Sequence, residues 1–164
     1  MNLKIANIIG TFFGLGLSKY APGTVGSLGT LPLAYLLIKF GGFGALILAS
    51  VVIFFIGAKA VDIIIKETGI EDPSKVVIDE TVGQLLSFSI VCYLAPEYLL
   101  DQGAIIYYIA AFVFFRFFDI LKMGPVKYAD KEIKNAYGVM LDDVFAGIFA
   151  ACLLLAVLFF MVNI

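Results

Sequence analysis

Residues 144–162 read VFAGIFAACLLLAVLFFMV, nineteen positions with no charge and no Pro. An α-helix needs roughly 17 to 25 such residues to cross a hydrocarbon layer about 30 Å thick. Outward from this run, four more apolar segments stand out, at Thr24–Phe40, Phe43–Ala60, Asp79–Ala95 and Gly103–Leu121. In lipid every backbone N–H and C=O must be paired within the structure, so helices are the open-ended solution. The pattern predicts an all-α polytopic membrane helical bundle of about five apolar helices, forming a single domain over residues 1–164. Composition agrees: 62% of residues are hydrophobic, 15% are charged, and the mean hydropathy is +1.06. A soluble core of this size has no room for that much apolar surface.

The segments between the runs set the topology. Gly41-Gly42 and Ala95-Pro96 mark tight turns, because Gly reaches unusual backbone angles and Pro cannot continue a helix. Lys4–Leu17, with Gly10, Gly14 and Gly16 in an apolar context, predicts an amphipathic N-terminal helix. No small-residue cleavage pattern follows it, so no signal peptide is expected. Two polar connections remain, Glu67–Lys75 and Met123–Gly138. In the second, Pro125 suits a first helical turn and Gly138 an end, which predicts a short cytoplasmic helix. Lys4 and Lys19, then Lys59, Lys66 and Lys75, then Lys122, Lys127, Lys131 and Lys134 make alternate connections positive, placing the N-terminus and both long loops in the cytoplasm. Lys39 is the exception and is expected to snorkel. Cys92 and Cys152 read as small apolar core residues. A formal charge of −2 argues against a nucleic-acid partner, which demands a basic face. The oligomeric state is left open.

Threaded this way, the acids at the span ends gather on one side. Asp79 and Glu80 open the third span, Asp119 closes the fourth, and Asp142 and Asp143 open the fifth. Carboxylates at the lipid boundary cost several kcal/mol, on the order of the penalty for any buried charge, unless paired, hydrated or bound to a cation. Helix capping accounts for Asp79 or Asp142 singly, at about 1 kcal/mol each. Doubled acids at both sites suggest instead a hard divalent cation, Mg²⁺ or a substitute such as Mn²⁺, which prefers carboxylate oxygens and bridges phosphates. The chain has no His and no well-placed Cys, so a nitrogen- or thiolate-rich zinc site is excluded.

Cationic groups lie within FRFFDILK, residues 115–122, where Arg116, Asp119 and Lys122 follow i, i+3 spacing on one side of a helix. Arg116 offers a bidentate fork for phosphate oxygens and Lys122 a point charge; a self-neutralising Arg116–Asp119 pair is the alternative. LSKYAPGTVGSLG, residues 17–29, combines Lys19 with Thr24 and Ser27 at a helix start, a combination that presents N–H groups and hydroxyls to an anion or simply makes a turn.

Four stretches in order, GLGLSKYAPGTVGS (14–27), VIDETVG (77–83), FRFFDILK (115–122) and YGVMLDDVFAG (137–147), resemble the phosphatidylglycerophosphatase A family. The resemblance implies Mg²⁺-dependent hydrolysis of the terminal phosphomonoester of phosphatidylglycerophosphate, a lipid phosphate substrate, at the cytoplasmic face of a bacterial inner membrane. It further implies metal and acid–base roles for Asp79, Glu80, Asp142 and Asp143, and phosphate-site roles for Lys19, Thr24, Arg116, Asp119 and Lys122. The rival class is a small ion- or proton-coupled membrane transporter, since intramembrane acids also build ion pathways. Transporters carry polar groups near the midplane and often related halves, whereas these charges collect at one face.

Overall fold

The computed structural model describes residues 1–162. Among them there is no strand: seven α-helices run as α1 (Leu3–Gly10), α2 (Pro22–Thr68), α3 (Ile78–Leu86), α4 (Ser89–Leu94), α5 (Ile105–Leu121), α6 (Pro125–Glu132) and α7 (Ala136–Val162). The all-α expectation therefore holds.

Helix α2 is two helical arms joined at Gly42, which has non-helical φ 59° and ψ −154°. Unbroken helix between Gly26 and Gly57 would separate them by about 46 Å. Yet a Cβ on Gly26 would lie 2.8 Å from Val77 Cβ, and one on Gly57 would lie 3.2 Å from the adjacent Ile78. The two arms of α2 are thus folded back on each other at Gly42, in a conformation that favours Gly.

Two helices, α2 and α7, are long and apolar enough to cross a membrane, and they suggest membrane association. Five separate apolar helices are not found. The first two expected spans are the arms of α2. The third is divided into α3 and α4, because Ser87 Oγ donates to Gln84 O at 2.7 Å and competes with the regular helical pattern. The fourth, α5, has only 17 residues. The N-terminal helix is present but short, closing at Thr11 before Phe12, Phe13 and Gly14 take positive φ.

The short helix α6 starts at Pro125, as expected, but ends at Glu132; Gly138 lies inside α7. There a Cβ would approach Ile133 O to 1.8 Å, so Gly138 permits a close chain crossing instead of a helix end. Of the cysteines, Cys92 is buried and Cys152 is exposed, which corrects the core reading for the latter. The main core joins both arms of α2 (Ala34, Leu46) to Leu85 of α3, Phe88 of the α3–α4 junction, Val91 of α4 and Leu154 of α7.

Candidate active site

Two glycines fix the distance between α3 and α7. A Cβ on Gly147 would lie 2.3 Å from Gly83 O, and one on Gly83 would lie 2.6 Å from Asp143 O. Backbone meets backbone there, as small residues allow. Gly83 is one turn beyond Asp79, so the contact brings Asp143 beside the first turn of α3, which carries Asp79 and Glu80. One carboxylate oxygen from each of Asp79, Glu80 and Asp143 lies within 4.8 Å of the others. Asp79 and Asp143 are 8% and 2% exposed.

A third element enters through Gly23, where a Cβ would lie 2.1 Å from Glu80 Oε1 and 3.1 Å from Arg116 Nη1. Pro22 opens α2, and Ala21 before it is in the left-handed region at φ 44°, an uncommon conformation for a residue with a Cβ. The first N–H groups of a helix lack intrahelical acceptors, so this end of α2 presents unpaired donors beside the acids.

Arg116 comes from α5. Its Nη1 lies 2.7 Å from Asp119 Oδ2 and 3.8 Å from Glu80 Oε1. The intrahelical pair with Asp119 therefore forms, but it leaves Arg116 Nε and Nη1 without a well-directed hydrogen bond, although both are buried. Among the described residues, Asp79 Oδ1 and Glu80 Oε2 are also buried without a hydrogen-bond partner. Lys122, at the left-handed C-terminal cap of α5, donates to Asp142 Oδ2 at 2.9 Å and to Asp130 Oδ1 on α6. Burial opposes its charge, yet these two carboxylates hold its pKa above the usual lysine range.

These groups line one cavity of about 530 Å³. It brings together Asp79, Glu80, Asp143, Arg116, Asp119 and Thr24, with Lys122 and Asp142 in its wall. Asp142 departs from the four-acid metal set, because its carboxylate is engaged by Lys122 and by the N–H of Asp143. Successive helical residues point about 100° apart, so neighbouring acids on α7 serve different partners. Lys19 is exposed and outside the cavity lining. Ser27 is fully buried in α2, and its Oγ is engaged by donating to Gly23 O at 2.8 Å. One participant is not evident from sequence alone. Asp130 lies in a charged, solvated helix, and its signal is the inward face it shares with buried Val126 and Ala129.

The donor set fits a hard cation. When ionised, Asp79, Glu80, Asp119 and Asp143 carry more negative charge than Arg116 offsets, and Lys122 in the same lining is already paired with Asp130 and Asp142. A phosphate monoester adds still more negative charge. Oxygen-only ligands, two of them with unpartnered buried atoms, match Mg²⁺ or Mn²⁺.

A family model described as phosphatidylglycerophosphatase A matches residues 8–158. A protein of Haemophilus influenzae named phosphatidylglycerophosphatase A is 32% identical over 97% of this chain and 92% of its own length. One of Escherichia coli with the same name is 30% identical over 93% and 84%. A Bacteroides thetaiotaomicron protein, whose name offers phosphatidylinositol-3-phosphatase as a proposal, is 39% identical over 90% and 89%. No solved structure matches the chain.

Proposed function

The chain belongs to the phosphatidylglycerophosphatase A family and is a phosphatase, and on that premise we propose that it hydrolyses phosphatidylglycerophosphate to phosphatidylglycerol and inorganic phosphate in a Mg²⁺-dependent reaction. The observation that carries this reading is the convergence of Asp79, Glu80 and Asp143 beside an incompletely bonded Arg116 in one cavity. The arms of α2, the α3–α4 pair, α5 and α7 make five crossings of a bacterial inner membrane, with the cavity facing the cytoplasm. Alternating lysine-rich connections support that orientation.

Asp79, Glu80 and Asp143 would hold the cation. When bound, Mg²⁺, or Mn²⁺ in its place, supplies Lewis-acid polarisation of the phosphoryl group and acidifies water. Arg116, oriented by Asp119, turns its free N–H groups to the non-bridging phosphoryl oxygens and offsets charge in the transition state. The unpaired N–H groups at the start of α2 and the Thr24 hydroxyl take the remaining phosphoryl oxygens. Water attacks phosphorus in line with the glycerol oxygen and forms the new P–O bond; the P–O bond to glycerol breaks, and the proton shed by the water balances the one that the glycerol oxygen takes up. Glu80, which reaches both the acid cluster and Arg116, positions the attacking water.

The test is inorganic phosphate release by the purified full chain from short-chain phosphatidylglycerophosphate, with Mg²⁺, Mn²⁺ or a chelator. Release with either ion and its loss on chelation are expected. A parallel arm with phosphatidylinositol 3-phosphate addresses the Bacteroides relative, and slower release is expected there. A folded preparation that releases nothing from phosphatidylglycerophosphate with either ion would falsify the assignment.

A further inference from the structure

A second hollow, also of about 530 Å³, lies between the C-terminal end of α5 and helix α6. Ile120, Lys122 and Asp130 line both it and the active-site cavity, so the two share a wall. Its distinctive members are Lys127 and Lys131. They lie one turn apart on one side of α6, while Val126 and Ala129 are buried against the bundle.

The charges in this hollow are not balanced. Lys122 and Asp130 satisfy each other, and Lys122 is also bonded to Asp142. Lys127 and Lys131 have no ion pair or side-chain hydrogen bond among the described residues, so two ammonium groups remain open. Beside them, Ile120, Leu121 and Met123 are 68%, 51% and 47% exposed. Free phosphate would use only the ammonium groups. A phospholipid with an anionic headgroup uses both halves, the lysines for the headgroup and the apolar margin for the start of the acyl chains.

We propose that this hollow is a second lipid site, which binds the headgroup of an anionic phospholipid from the bilayer beside the catalytic cavity. The inference rests on the membrane-embedded reading above, but not on which lipid phosphate is hydrolysed.

The chain contains no Trp, so Tyr128→Trp on α6 introduces a single reporter at a position 63% exposed. The full-length variant is reconstituted in neutral phosphatidylcholine bilayers, and quenching by brominated phosphatidylglycerol is compared with quenching by brominated phosphatidylcholine. Selective quenching by the anionic lipid is expected. The selectivity should fall roughly tenfold or more when Lys127→Gln and Lys131→Gln are combined, since each lysine near an anionic surface contributes appreciably. Equal quenching by both lipids, quenching by neither, or full competition by inorganic phosphate would overturn the proposal. Met123→Trp provides the same measurement if Tyr128→Trp does not fold. Because no turnover is measured, this outcome is separable from the phosphatase assay.

Discussion

Arg116 and Lys122 end the same helix six residues apart, and each faces two carboxylates, but the two clusters are finished to different degrees. Lys122 makes hydrogen bonds to both Asp130 and Asp142 and ties α5 to α6 and α7. Arg116 touches Asp119 closely and Glu80 only at 3.8 Å, and around it lie buried atoms of Arg116, Glu80 and Asp79 with no hydrogen bond. A buried polar group left unpaired costs about 1–3 kcal/mol. The first cluster is a clasp complete in itself. The second leaves buried atoms unpartnered, and the proposed cation and phosphoryl oxygens would satisfy them. The proposed catalytic centre is thus the cluster whose hydrogen bonding is unfinished, and charge alone does not mark it.

That contrast can be broken by substitution. The largest effect is expected at Asp143→Asn, which removes a charge from the three-acid group. Turnover should be lost while the detergent-solubilised protein keeps its helical circular dichroism and elution volume. Measurable turnover at wild-type rate would remove Asp143 from the cation site. Next is Arg116→Lys, which keeps the charge but loses the fork. A fall in kcat/KM of about 10²–10³ is expected, the scale for one lost transition-state donor. Unaltered kinetics would make Arg116 a structural partner of Asp119.

The clasp should respond differently. Asp130→Asn weakens an ion pair whose two side chains are 31% and 29% exposed, and is expected to cost about 1 kcal/mol, read as a lower thermal midpoint in detergent, with a smaller loss of kcat than at Arg116. Its pH dependence has a defined sign. Lys122 is raised above its unfolded pKa of about 10.4, so its contribution to stability is fully present below that pH and is lost as pH rises through the higher folded value. Between neutrality and about pH 9 the wild-type midpoint should therefore show no change attributable to Lys122. The smallest effect is expected at Ser27→Ala. It removes one buried hydrogen bond within α2, worth about 1 kcal/mol, and leaves KM unchanged. A raised KM would return Ser27 to the phosphate site.

The residues explain which parts of this arrangement are legible without a structure. Long apolar runs and the Gly41-Gly42 break carry the all-helical character and the fold-back of α2, because lipid and backbone geometry leave few alternatives. The acids are visible as doubled carboxylates at span ends, but their division is not. Asp142 turns to Lys122 and Asp143 to α3, a separation set by helical rotation and by the Gly83–Gly147 contact across some sixty residues of sequence. The division of the third span at Ser87 depends on a side-chain bond to Gln84 O that hydropathy does not register. Lys19 and Ser27 share a short motif with Thr24. Only the fold reveals that the first is exposed, the second is buried with its hydroxyl engaged, and Thr24 lines the cavity.

The most direct measurement of the central claim is an anomalous difference map from crystals of the full chain soaked in Mn²⁺, in wild type and in Asp143→Asn. The account predicts a peak among the carboxylates of Asp79, Glu80 and Asp143, on the cavity side facing Arg116, and its loss in the variant. A peak at Asp142 or Asp130 instead, or none at the three acids in a well-ordered wild-type crystal, would contradict it.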